Sequence, residues 1–369
     1  MKMKKFALLA ALVGAVVICY SCEDPADDEG ARPWIDSVSS QFANQAVYDD
    51  NFTIIGKNFS TDKEKNIVTF NKEVAEVVSA SAKELVVKVP RVKAAKATIY
   101  VEVGAQKSNW HSVQFDTRRC DSVLLFQHAK VETLRSGVVW KQITSSWKGE
   151  PRSINVVCFK PSYKNRLGIA CPKSYTKTSV QCEAAGALVG INASYFGGAH
   201  DGFTRINGVV AQAGATFSSS EYYFGNGVFV FDDSAASIKP VADNAAAALL
   251  TDINVQCSGP LLIHNGSNIA QENVSHCTTS HPRTVIGVTA DGRVLFVTVD
   301  GRFEGKAVGM STTMLQELLY IMGAKHALNL DGGGSTTMYI KDKGVVNHTC
   351  DGTWDNIVER KVGTVIYMK

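Results

Sequence analysis

"NLDGGGSTTMYI", residues 329–340, sets an acid, three consecutive glycines and three hydroxyls between apolar flanks. Three glycines in a row cost backbone entropy, so the fold must need bare backbone there. A nucleotide phosphate loop would follow the glycines with Lys-Ser/Thr and a helix whose first turn faces the phosphate. Here Ser335, Thr336 and Thr337 lead into an apolar run that reads as a strand, and no lysine follows. A free linker is also excluded, because "HALNL" before it and "MYI" after it call for burial. Two readings remain open. One is a structural hairpin turn. The other is a strand end that presents Asp331, with Gly332, Gly333, Gly334 and Ser335 turning backbone N–H groups and a hydroxyl toward a ligand.

Several neighbouring motifs share this form. "VGINASYF" (189–196) ends an apolar strand at Asn192, and "HPRTVIGVT" (281–289) opens one with Arg283 and Thr284. "VTVDGRFEGKAVGMS" (297–311) ends a strand at Asp300-Gly301-Arg302, although Asp-Gly is also a common hairpin pair. The following "STTMLQELLYIMGA" has Met314, Leu315, Leu318, Leu319 and Met322 at helical spacing, with Ser311 as N-cap and Gly323 as stop. It carries Glu317, which serves equally as a solvated surface residue or as the buried partner of an arginine.

Strand-like runs dominate the rest of this region, from "SVLLF" (122–126) and "INVVCF" (154–159) to "KVGTVIYM" (361–368). A second helix is read in "YTKTSVQCEAAGALV". Strands outnumber helices without regular alternation, which predicts an α+β domain over residues 117–369, strand-rich with few helices. Residues 33–116 differ. "FTIIGKNF", "IVTFN", "ELVVKVP" and "ATIYVEV" are short alternating segments split by turn residues, the pattern of a small all-β, immunoglobulin-like sandwich.

The chain begins "MKMKKFALLAALVGAVVICYSC", a basic stretch, an apolar run and a small-residue site. That is the pattern of a secretory signal rather than a spanning helix. With Cys22 after Ser21 it resembles a bacterial lipoprotein signal (1–21), with Cys22 lipidated and 22–32 an acidic tether like that of surface-exposed lipoproteins. The expected location is the outer membrane or cell surface. Without the leader lysines Lys2, Lys4 and Lys5, basic and acidic residues balance at 35 each, which speaks against a dedicated nucleic-acid binder. The seven later cysteines form no CxxC pair, and export permits disulfides whose connectivity the spacing leaves open.

Two family resemblances follow from these motifs. "PWIDSV", "TIIGKNF", "IVTF" and "LVVKVP", in that order, resemble the IPT/TIG family and imply a spacer or binding surface. The series "NASYF…DGFTRINGVV…SGPLLIHNG…HPRTVIGV…VTVDGR…GMSTTMLQELLYIMGAKHALNLDGGGSTTM" resembles the phosphodiester glycosidase family, which cleaves a sugar joined through its anomeric carbon to a phosphodiester. The resemblance spans about residues 185–369.

That activity implies roles for the residues present. An anionic diester needs donors, and Arg283 and Arg302 suit phosphate oxygens, with Thr284, Asn192, the Gly332–Gly334 N–H groups and Ser335 as further substrate contacts. The oxocarbenium-like transition state needs a carboxylate: Asp331 and Asp300 first, Glu317 third. No cofactor is expected. His200, His264 and His281 lack a second histidine at metal-ligand spacing, while Asp300 and Asp331 oxygens suit calcium or magnesium. The expected partners are a phosphorylated glycan or sugar-1-phosphodiester and a membrane through the lipid anchor. A non-catalytic glycan-binding lipoprotein and a phosphodiesterase that cuts the P–O bond are the rival readings.

Overall fold

The computed structural model describes residues 32–162, 164–218 and 220–369. The signal and Cys22 lie outside the described residues, as does all of the tether but its last residue. The chain divides into two compact units that part between Gln114 and Phe115.

In the first unit, strands Trp34–Ser39, Asn51–Lys57, Glu84–Lys88 and Glu73–Ala80 lie side by side, all antiparallel. Glu73–Ala80 then changes partner. Its first residues pair with Asn66–Phe70, and beyond that comes Lys96–Val103. Phe52 and Phe70, one from each half, meet edge to face at 5.8 Å. The halves therefore close on one apolar core, which includes Ile54, Val68, Leu85 and Ile99. The strand Asn51–Lys57 alternates exposed and buried positions, which is why its sequence reads with period two.

The second unit is strand-rich with few helices. Its largest sheet has eight antiparallel strands, among them Leu261–His264, Ala324–Asn329, Arg283–Thr289, Val294–Val299, Glu150–Phe159 and Val138–Trp147 in that order. One face of this sheet, through Val285, Val297 and Ile154, packs on Leu315, Leu318 and Leu319 of helix Thr312–Ile321 and on Leu125. The other face, through Ile286, Phe296 and Phe159, packs on two five-stranded sheets that contribute Ile191, Met338 and Ile366, and Phe229 and Ile238. Covered on both sides, these strands read as unbroken apolar runs instead of alternating ones.

Ser311 caps helix Thr312–Ile321 by accepting from Met314 N, and Gly323 follows its end at φ +81°. The weaker helical reading corresponds to helix Thr178–Ala185, closed by left-handed Gly186. "SVLLF" corrects the sequence reading. It is not a strand but the second half of helix Thr117–Phe126, whose N-cap Asp116 accepts from Arg119 N at 3.1 Å. Five apolar residues are too few for periodicity to separate the two. All seven described cysteines are free thiols.

Candidate active site

Three strand ends meet at one point. Strand Ala324–Asn329 runs into Leu330 and Asp331, beside the end of Val189–Asn192 and the start of Arg283–Thr289. Backbone bonds close the junction: Asp331 N donates to Ala193 O at 2.8 Å and Leu330 N to Thr284 O at 2.8 Å. Asn192 is the clasp. Its Nδ2 donates to Asp331 O at 2.6 Å, while its Oδ1 accepts from Thr284 Oγ1 at 2.6 Å and from Thr337 N at 3.0 Å. Asn192 and Thr284 are both fully buried; the amide holds backbone, the hydroxyl holds the amide, and neither has access to substrate.

The glycine run turns through a short 3-10 segment, Gly333–Ser335. Gly333 has φ +60°, and a Cβ there would stand 3.3 Å from Arg302 Nη2. A Cβ on Gly334 would fall 2.1 Å from both Arg360 Nη2 and Asp351 Oδ1. The bare backbone is therefore what lets two guanidinium groups lie flat against the loop. This corrects the expected use of the glycine N–H groups. Gly333 N donates to Pro282 O at 2.9 Å, and Gly332 N–H lies at the Asp331 carboxyl itself. Of the three, only Gly334 N–H stays without a protein acceptor among the described residues.

A cleft of about 430 Å³ opens over this loop. Asp331 supplies the carboxyl in its lining. The side chain is partly open to the cleft, yet protein surrounds it, and that desolvation pushes its pKa up to about 7 against the pull of Ser335, Arg360 and Gly332 N–H. Ser335 Oγ is buried and faces the carboxyl without completing a hydrogen bond of ordinary geometry.

Three arginines share the lining. Arg360 forms a bidentate pair with Asp351 at 2.8 and 2.7 Å. Arg283 is 1% exposed and spends Nε on Met310 O and Nη2 on His276 O and Thr279 O, at 2.9, 2.6 and 3.1 Å. Arg302 is exposed, with Nη1 3.6 Å from Cys350 Sγ and Nη2 3.4 Å from His281 Nδ1. Guanidinium can only donate, so His281 Nδ1 must be the acceptor there. Arg302 also holds φ +65°, an uncommon conformation for a non-glycine residue. Among the described residues, neither Arg283 nor Arg302 has a carboxylate within ion-pair reach. The cleft therefore carries uncompensated positive charge beside one weakly acidic carboxyl, an arrangement that suits an anion.

The rest of the lining is largely aromatic. Tyr195 and Phe224 meet at 4.7 Å, Phe224 and His276 at 5.2 Å, and His200 and Phe224 at 5.1 Å. Desolvation, then the charges of Arg283 and His281, lower the His276 pKa to about 3, so this ring is neutral.

The other sequence candidates sit elsewhere. Asp300 is fully buried outside the cleft lining and accepts from Ser153 Oγ at 2.6 Å, His348 N at 3.1 Å and Asn347 Nδ2 at 3.2 Å. Burial pushes its pKa up to about 6. It braces the segment that follows Asn347 and does not face a ligand. Glu317 lies on the surface, paired with Lys148, and is likewise outside the lining. Asp300 and Asp331 thus do not form a joint cation site, and among the described residues no three His, Cys, Asp or Glu side chains gather to hold a metal. Sequence reasoning missed Arg360, Tyr195, Phe224 and His276. Arg360 stands one residue before the quoted "KVGTVIYM". The aromatic residues carry no spacing signal, because three separate segments bring them together.

Every residue of the cleft lining falls within one family match. The model of the phosphodiester glycosidase family matches residues 185–369, and that of the IPT/TIG domain matches residues 33–121. Among solved structures, the catalytic domain of zebrafish N-acetylglucosamine-1-phosphodiester alpha-N-acetylglucosaminidase, auto-inhibited by its pro-peptide, aligns with TM-score 0.50 at 17% identity, covering 65% of this chain and 87% of that one. This likeness is one of fold. A hypothetical protein from Synechocystis aligns with TM-score 0.45 at 14% identity over 92% of this chain and 80% of its own. The SPbeta prophage-derived uncharacterized protein YomE of Bacillus subtilis (strain 168) is 34% identical over 79 residues, which are 21% of this chain and 12% of that relative's length.

Proposed function

Because the chain belongs to the phosphodiester glycosidase family, we propose that its cleft hydrolyses the bond between the anomeric carbon of a sugar and the oxygen of a phosphodiester. One observation carries this reading: Arg302 and Arg283, without carboxylate partners, line the same cleft as Asp331. The diester anion meets the guanidinium groups, with Arg302 as the exposed fork and Arg360 held beside it by Asp351. Asp331 stands where C1 develops positive charge. Its carboxylate stabilises the oxocarbenium-like state and takes a proton from the attacking water. The water oxygen bonds to C1 as the C1–O bond breaks, and the bonding pair leaves with the phosphate. Free sugar and a phosphomonoester result.

A lone carboxyl suits this substrate. Hydrolysis of an ordinary glycoside uses a second carboxyl to protonate the departing alcohol. A phosphate leaving group is far less basic and departs as an anion onto the arginines. Asn192 and Thr284 act as positioning residues, and Asp300 braces the segment that follows Asn347. Export and lipid attachment through Cys22 belong to the same proposal and would place the cleft at the cell surface.

The test is incubation with a panel of sugar-1-phosphodiesters in oxygen-18 water. The expected result is label in the sugar. Label in the phosphate would assign P–O cleavage instead, and no release from any substrate, with binding intact, would leave a glycan-binding protein.

A further inference from the structure

The cleft lining holds two clusters of different chemistry: the guanidinium groups of Arg302 and Arg360 at the glycine loop, and the rings of Tyr195, Phe224 and His276 in mutual contact. We propose that the aromatic cluster of Tyr195, Phe224 and His276 is the subsite for the sugar ring, and that His276 Nδ1 binds one of the ring hydroxyls. The identity of the ligand as a sugar phosphate rests on the function proposed above; the subsite rests on the contacts that hold His276.

His276 is held from several sides. Its Nε2 is 3.0 Å from Tyr195 Oη. Tyr195 Oη is itself pinned by Asn329 Nδ2 at 2.9 Å and Gly259 O at 3.0 Å. Rings of Phe224, Tyr223 and Tyr195 pack on the imidazole at 5.2, 5.8 and 5.8 Å. The ring plane is fixed before any ligand arrives, which is what a selective polar contact requires.

Nδ1 is the other ring nitrogen, and no hydrogen bond ties it to a protein group among the described residues. In neutral imidazole, Nδ1 donates in one tautomer and accepts in the other, according to what Nε2 does with Tyr195. A hydroxyl serves both cases, because it donates and accepts. The oxygens of a phosphodiester only accept, and the guanidinium groups of Arg302 and Arg360 against the glycine loop offer them charged donors. The apolar bodies of Phe224 and Tyr195 match the C–H face of a pyranose, as in other ligand pockets where few polar groups set orientation within an apolar lining. The ring then lies on the aromatic cluster and the phosphate on the guanidinium groups, in the cleft that Asp331 also lines.

Calorimetry on the full chain tests this without turnover. The probes are inorganic phosphate, the 1-phosphates of glucose, mannose, galactose and N-acetylglucosamine, and each monodeoxy analogue of the tightest binder. At least one sugar phosphate should bind roughly tenfold or more tightly than phosphate alone, and one deoxy analogue should lose roughly ten- to hundredfold. His276→Phe keeps an aromatic ring in the cluster and removes both nitrogens. It should lose the same factor on the parent compound and become indifferent to that hydroxyl. His276→Gln, which can still reach Tyr195, should behave alike and replaces the Phe variant if that does not fold.

Equal binding of phosphate and every sugar phosphate, no binding of either, or full deoxy discrimination retained by the His276 variants would overturn the subsite. The expected pattern without hydrolysis of any diester would leave the subsite standing and remove the glycosidase reading alone.

Discussion

Asn192 Nδ2 donates to the backbone carbonyl of Asp331 at 2.6 Å, so it positions the cleft acid through its main chain and not through its carboxyl. The same amide ties Thr284 and Thr337, so one buried side chain joins three segments. Asn192→Ala should lower kcat roughly ten- to hundredfold with little change in KM, and cost about 1–3 kcal/mol of stability by orphaning buried partners. Steady-state kinetics and thermal unfolding check it. A changed KM with unchanged kcat would instead make Asn192 a substrate contact.

Asp331→Asn should abolish hydrolysis, with a loss of roughly a thousandfold or more, while sugar-phosphate binding persists. In the wild type, kcat/KM should rise with pH and level off above about 7, because the base must be ionised. Stability has the opposite slope. A carboxyl whose pKa is raised on folding favours the folded state at low pH, and this contribution is lost as pH rises from the ordinary carboxylate range through about 7. Asp331→Asn should therefore unfold at a higher temperature than wild type at pH 8 and show no such gain at pH 4. A rate that falls as pH passes upward through 7 would assign Asp331 as an acid.

Gly334→Ala should separate Arg360 from Asp351, since its Cβ would fall 2.1 Å from both. The expected result is a KM raised roughly tenfold or more. Arg302→Lys keeps a charge but not the planar fork, and should raise KM while leaving the fold intact. A salt titration of KM checks both, because both contacts are electrostatic and weaken as salt rises.

Asp300→Ala should destabilise by about 1–3 kcal/mol, since Ser153, Asn347 and His348 N–H lose a buried acceptor. His348 stacks on Trp354 at 3.6 Å, so tryptophan fluorescence should report the loosened segment. Glu317→Gln removes a surface pair with Lys148 and should leave turnover unchanged and stability within about 0.5 kcal/mol. Turnover lost in the Glu317 variant would return that residue to the candidate site.

The sequence alone determined which segments are strands, that the glycine run ends one of them beside an acid, and that two arginines lie close to other strand ends. Alternation, long apolar runs and caps are local signals, and local sterics and burial enforce them. It misread "SVLLF", because five residues cannot show a period. The family stood in the ordered motifs, since each keeps its polar residue at the end of an apolar run.

Only the tertiary structure decided what each polar group faces. Asp300 and Asp331 both follow strands and look alike as text. One is closed in by Ser153, Asn347 and His348, and the other opens on a cleft with Arg302. Asn192 spends its amide on backbone and Glu317 turns outward to Lys148, while Arg360, Tyr195, Phe224 and His276 enter from segments far apart in the chain. Burial and hydrogen-bond partners are set by packing between such segments, and no residue's neighbours along the chain encode them.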